Sequence, residues 1–276
     1  MRKSIATLSM AGSLPEKLEA IARAGFDAVE LFDDDVQRFP GTARDVKRLL
    51  DALDLEAVLL QPLRNADGAP AAGRAGVLAE AGRMFDAMAE LGCRQLLVCS
   101  SVDQDALADE EAQNGDLLRL AELAQRYGCA ICYEALAWGR HVHHYRQAWE
   151  RVSTVAMPNL GLALDSFHIL ALADNLDGLA HIPTEKIFYV QMADAAPRPR
   201  PSQPVDAWSR HHRCFPGQGI LDVAGFARQV AAAGYRGIWS LEIFSDRYQR
   251  ETPQRIAAEG FASLAWLERE ITARRP

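Results

Sequence analysis

One phrase recurs four times along this chain: the end of a helical pattern, a glycine, one or two further residues, then an apolar run rich in strand formers. It reads AGFDAVEL at 24–31, LGCRQLLV at 91–98, YGCAICYE at 127–134 and AGYRGIWSLE at 233–242. Gly25, Gly92, Gly128 and Gly234 stand just past helix ends, where a left-handed residue closes the last turn. A chain that re-enters its sheet through the same punctuation each time is laying down βα units from one side. That restricts it to a mainly parallel sheet covered by helices.

The rest of the pattern agrees. Strand-like runs are expected at Ser4–Leu8, Ala28–Phe32, Glu56–Gln61, Gln95–Ser100, Cys129–Glu134, Leu160–Asp165, Lys186–Gln191 and Gly237–Glu242. Between them helical periodicity covers Pro15–Ala24, Ala43–Leu53, Arg74–Leu91, Glu111–Tyr127, His144–Val152, Phe167–Ala173, Asp222–Ala232 and Pro253–Ile271. Eight alternations predict a closed (β/α)8 TIM barrel, with residues 1–276 as one domain; 276 residues suit that architecture. A doubly wound sheet is the competing fold, but SMAGSLPEK after the first strand is not the G-x-G-x-x-G of dinucleotide folds. The stretch Met192–Gly219, rich in Pro, Arg and His, is expected to be a long irregular loop lying over the rim.

Composition removes several function classes. A net charge of -7 and the lack of a basic stripe speak against a nucleic-acid partner. No apolar run reaches the ~20 residues that span a bilayer, so no membrane partner is expected. The N-terminal MRKSIATLSMAG enters a strand pattern directly and is not read as a signal peptide. The five cysteines (93, 99, 129, 132 and 214) are odd in number and mostly sit in apolar runs. That suits free thiols in a reducing cytoplasm. A homo-oligomer is compatible with the chain.

Chemistry concentrates at strand ends. Glu134, Asp165, Gln191 and Glu242 close the fifth to eighth strand runs, and in a barrel those ends converge on one rim. Three carboxylates so close repel unless protons or a cation intervene, so the constellation predicts one divalent metal ion. All-oxygen ligands suit Mg²⁺ or Mn²⁺, with Co²⁺ as a further candidate. The plainer reading, acids that cap the following helices, explains one such residue more easily than four on consecutive strands. Glu30 and Gln61 fall at the ends of the second and third runs. His168, three residues past Asp165, is placed to exchange protons. Arg64, Arg140, Arg210 and Arg213 lie in rim loops and suggest a small anionic substrate. Trp138 and Phe215 are candidate pocket walls. Cys129-x-x-Cys132 is set aside as a metal or redox pair, because residues three apart in a strand face opposite sides. Asp33-Asp34-Asp35 is read as a solvated acidic run, with a supporting role at the rim left open.

Taken in order, SIATLSMAGSLPEKLEAIARAGFDAVELFDDD, QPLRN, CYEALAWGRHV, LALDSFHIL, VQMADA, RCFPGQGILDV and WSLEIFSD run the length of the chain. They resemble the bacterial 3-dehydroshikimate dehydratases, a branch of the xylose-isomerase-like barrels. The resemblance implies conversion of 3-dehydroshikimate to protocatechuate plus water with one divalent metal. It carries the metal ligands over to Glu134, Asp165, Gln191 and Glu242, the active-site histidine to His168, and the pocket arginines to Arg64, Arg210 and Arg213. His168 is the first candidate for the proton-abstracting base, with Glu134 or Glu242 as alternatives. Two departures stand out. Many bacterial relatives carry a C-terminal module resembling hydroxyphenylpyruvate dioxygenase, which this chain, ending at Pro276, is expected to lack. Asp33-Asp34-Asp35 also replaces a Glu-Asn-Asp type run. The rival activity is a sugar or hydroxyacid isomerase or epimerase on the same barrel; Gln191 and the arginine-rich loop argue against a neutral sugar. An endonuclease-like relative would need a His-rich multi-metal site and a basic face, and the intact ligand quartet speaks against a non-catalytic binding barrel.

Overall fold

A computed structural model describes residues 1–273; residues 274–276, the end of the span expected to be one domain, lie outside the described residues. The barrel strands are β1 (Arg2–Ala6), β2 (Ala28–Phe32), β3 (Glu56–Leu63), β4 (Gln95–Cys99), β5 (Ala130–Glu134), β6 (Leu160–Asp165) and β7 (Ile187–Met192), followed, after a short β8 (Asp194–Ala195) and β9 (Arg213–Cys214), by β10 (Ile238–Leu241). They close in the order β1-β10-β7-β6-β5-β4-β3-β2 with parallel neighbours. β1 completes the ring by pairing Ser4 with Ser240. The expected barrel is therefore present, with strand bounds shifted by at most a few residues. All four phrase glycines adopt positive φ, between 66° and 97°.

The outer layer comprises α1 (Leu14–Ala24), α2 (Asp33–Arg38), α3 (Ala43–Ala52), α4 (Ala71–Leu91), α5 (Glu110–Arg126), α6 (Tyr145–Val155), α7 (Ser166–Ala171), α8 (Val205–His212), α9 (Val223–Ala232) and α10 (Pro253–Thr272). Local chemistry starts these helices. Thr42 accepts the Asp45 amide while Asp45 accepts the Thr42 amide, which satisfies two donors that a helix start leaves free. Apolar stripes such as Ile256, Leu264 and Leu267 of α10 then bury against the barrel. Each such side chain contributes about 1.5–3 kcal/mol. Among the described residues no helix is long and apolar enough to cross a membrane.

Two local expectations change. Asp33-Asp34-Asp35 forms the first turn of α2, where helix-start amides favour negative charge. It is also pinned: Asp33 to Arg83 at 2.6 Å and Asp35 to Lys17 at 2.8 Å. The Met192–Gly219 stretch is not irregular but holds α8 and the antiparallel pair β8–β9. Asp194 staples it, accepting the amides of Gly217 and Gly219 on one oxygen and of Leu221 and Ala195 on the other. A side chain at Gly219 would strike the Ala195 carbonyl oxygen at 2.2 Å, so the close approach requires glycine there.

Strand parity builds the site. A layer of Ala28, Leu97, Cys132, Ala163 and Tyr189 fills the barrel interior. Side chains two residues on point to the same face. The next layer toward the C-terminal rim is thus Glu30, Cys99, Glu134, Asp165 and Gln191, all buried. The same parity puts Cys129 in the core beneath the helices and Cys132 inside the barrel, so the two thiols do face opposite ways.

Candidate active site

The carboxyl groups meet as expected. Glu134, Asp165 and Glu242 are 2%, 2% and 4% exposed, and Gln191 is fully buried. A positive group already stands among them. Arg213, 1% exposed, sends Nη1 to Asp165 Oδ2 at 2.7 Å and to Glu242 Oε2 at 3.0 Å, and Nε to Ser209 Oγ at 3.0 Å. Its guanidinium carbon lies 4.6 Å from the Phe167 ring centre and 5.4 Å from that of Phe244. The sequence grouped Arg213 with the rim arginines; folding buries it as a counter-ion because α8 and β9 carry it inward.

One guanidinium does not balance the site. Burial, and then the negative charges of Glu242 and Asp165, push the Glu134 carboxyl well above its usual range. Burial takes Glu242 to about 7 against the pull of Arg213. Burial alone would raise Asp165 too, but the Arg213 guanidinium beside it holds it below the ordinary value. Two acceptors remain without any donor: Glu134 Oε1 and Gln191 Oε1. Buried polar atoms are seldom left so. An added cation answers both facts, since it satisfies the free lone pairs and favours ionised carboxyls. The donor set therefore fits a hard divalent ion.

Glu134, Asp165 and His168 each offer an atom within 4.8 Å of one another, a spacing one ion can bridge. His168 starts no such bond easily. α7 begins at Ser166, and the ring's Nδ1 accepts the Ala137 amide at 3.1 Å. A neutral imidazole with Nδ1 accepting carries its proton on Nε2, the nitrogen that faces Glu134 Oε1 at 3.7 Å and Asp165 Oδ2 at 3.6 Å. Nε2 then lacks the lone pair a metal needs. Arg213 Nη2 also approaches Nε2, at 3.1 Å. Both ring nitrogens cannot accept in a neutral ring, and the backbone amide is the less mobile donor. Burial, and after it the Arg213 charge, lowers the ring to about 3 although Asp165 opposes them, so His168 is neutral.

One cavity joins these groups to the surface. Glu134, His168, Arg213 and Glu242 line it, as do Arg64 and Arg210, both exposed. Neither Arg64 nor Arg210 forms an ion pair among the described residues. Trp138 is a wall, with Arg210 5.9 Å from its ring centre. Asp165 and Gln191 lie deeper, outside the lining. Arg140 is exposed elsewhere, and Phe215 stacks on Tyr248 in the core instead of walling the pocket. Sequence reasoning gave Cys99 no role, yet its thiol meets Glu134 Oε2 at 3.3 Å. The signal was its position two residues beyond Leu97 on an inward face.

Known proteins resemble this chain along nearly all its length. It is 50% identical over 268 residues to a 3-dehydroshikimate dehydratase of Pseudomonas aeruginosa, covering 97% of this chain and 42% of that protein. It is 47% identical over 274 residues to a 3-dehydroshikimate dehydratase of Pseudomonas putida, covering 99% and 43%. A solved fusion protein of a xylose isomerase-like TIM barrel and a 4-hydroxyphenylpyruvate dioxygenase superposes with a TM-score of 0.94 at 47% identity, over 98% of this chain and 43% of that one. The chain thus spans less than half the length of the curated relatives it matches. A family profile covers residues 18–269, and on that match the chain belongs to the xylose isomerase-like TIM barrel family.

Proposed function

We propose that this chain is a metal-dependent hydro-lyase that converts 3-dehydroshikimate to protocatechuate plus water. The observation that carries the reading is the pairing, in one cavity, of a deep carboxyl ring with two exposed, unpaired guanidinium groups above it. Such a cavity suits a ring bearing oxygens at one end and a carboxylate at the other. The two Pseudomonas relatives, named for this reaction, supply the substrate.

Glu134, Asp165, Gln191 and Glu242 would hold the ion, with Mg²⁺, Mn²⁺ or Co²⁺ as candidates. When bound, a divalent cation polarises the substrate's ketone and eases loss of the neighbouring proton. Arg64 and Arg210 bind the ring carboxylate and orient the ring. Arg213, its nitrogens already engaged, steadies Asp165 and Glu242. With its proton on Nε2, His168 hydrogen-bonds the departing hydroxyl oxygen; the carbon-bound proton passes to the carboxylate of Glu134 or Glu242 and from there to the leaving hydroxide, which departs as water. Loss of water and tautomerisation give the aromatic product.

The test is incubation with 3-dehydroshikimate, with chelator and with added Mg²⁺, Mn²⁺ or Co²⁺, followed by the ultraviolet absorbance of protocatechuate. Product that disappears with chelator and returns with metal is the expected result. Absence of product with every ion, together with epimerisation of a ketose, would assign the chain to the isomerase reading instead.

A further inference from the structure

Glu30 is a buried carboxyl of the barrel interior that the reaction above does not use. It lies at 0% exposure inside the barrel, and its hydrogen-bond partners are all neutral. Gln61 Nε2 and Gln191 Nε2 both donate to its Oε1, the second at 2.6 Å. Ser240 Oγ donates to its Oε2 at 2.6 Å. An apolar side chain would fill this place at lower cost than a carboxyl taken out of water, so its retention needs a reason.

The reason lies in which atoms it meets. Its Oε1 receives two amide nitrogens and is an acceptor in either protonation state, since a proton on this acid would sit on Oε2 against Ser240 Oγ. The Gln191 amide atom against Oε1 is therefore the nitrogen, and the amide oxygen is turned away. That oxygen, Gln191 Oε1, is buried and without a donor. The backbone is adjusted to the same end: the β2–β3 register shifts between Val29 and Glu30, and such bulges re-aim side chains next to active sites.

We infer that Glu30 is a positioning residue that fixes the amide of Gln191 with its oxygen toward the metal site. The inference rests on the reading of Gln191 as a ligand. Partners of ligating side chains that fix their orientation typically change metal affinity by 10–100-fold when removed.

The experiment is calorimetric titration of Mn²⁺ into the metal-free wild type, Glu30→Gln, Glu30→Met and Gln191→Leu, with thermal melts of each metal-free protein. Glu30→Gln keeps an acceptor for Gln191, so its Kd is expected to stay within about threefold, whereas Glu30→Met is expected to weaken binding by ~10–100-fold. Gln191→Leu should weaken it at least as much. Wild-type affinity in Glu30→Met alongside a loss in Gln191→Leu overturns the inference and leaves the ligand reading intact. Wild-type affinity in Gln191→Leu removes the ligand reading and this inference with it. If Glu30→Met does not fold, Glu30→Asp replaces it: the carboxyl group stays but the shortened side chain cannot reach Gln191. A roughly tenfold loss there supports the role, and wild-type affinity refutes it.

Discussion

The two ends of the barrel use the same residue types for opposite ends. At the N-terminal end, the acids Glu56 and Glu268 reach solvent and each is paired with at least one cation. Arg2 meets Glu56 at 2.6 Å with both side chains more than half exposed, and Glu268 takes the N-terminal amine and Lys3, each at 2.8 Å. At the C-terminal end, Glu30, Glu134, Asp165 and Glu242 are all buried, and the Arg213 guanidinium pairs with Asp165 and Glu242. Exposed pairs are screened and contribute about 0–1 kcal/mol each. Buried, unbalanced charges cost several kcal/mol unless something else arrives to balance them. An imbalance kept at one end only marks that end as the place where a ligand completes the electrostatics.

Substitutions that break this contrast should rank accordingly. Glu134→Ala or Glu242→Ala should lose bound metal, read by elemental analysis, and about 10⁴-fold of kcat/KM, since the ion supplies several kcal/mol. Unaltered metal content in both would remove them from the ligand set. His168→Leu should keep its metal and lose about 10²–10⁴-fold in kcat; a rate near wild type would end its part in hydroxyl departure. Arg213→Met strips the guanidinium from Asp165 and Glu242, and a stability loss of about 3–5 kcal/mol by chemical denaturation is expected. Arg64→Met and Arg210→Met should raise KM by about 10–100-fold, the worth of a charged hydrogen bond, with kcat less affected. A collapse of kcat at unchanged KM would place these arginines in the chemistry.

The smallest effect belongs to the other end. Lys3, then the N-terminal amine, hold the Glu268 carboxyl below its usual value. A depressed carboxyl stabilises the fold above its unfolded pKa and loses that contribution as pH falls through the folded value. Glu268→Gln should therefore cost ~1 kcal/mol or less at neutral pH, and nothing at a pH where wild type is itself protonated. A constant difference across that range would mean that packing, not charge, is what Glu268 provides.

Much of this was readable in one dimension. The glycine phrases and alternating runs specify a parallel barrel because helix caps and strand pleats are local, set by residues within a turn of each other. Glu134, Asp165, Gln191 and Glu242 were legible for the same reason: each ends an apolar run, and parallel strands bring such ends to one rim. α8 and the β8–β9 pair were not, because the Pro-rich stretch around them carries no clear period and is ordered by Asp194, which gathers three amides from 23 to 27 residues away and one next door.

The sequence by itself determined the architecture, the rim and the identity of the acids on it. Only the tertiary structure decided how those acids are used. It drew Arg213 inward between two aromatic rings, turned the Ala137 amide onto His168, and set Glu30 across the barrel from its own strand against Gln191 and Ser240. The physical reason is range: cap and pleat preferences act over a few residues of chain, whereas the electrostatics of a buried site depend on groups up to 210 residues apart that only the closed barrel brings within hydrogen-bond distance.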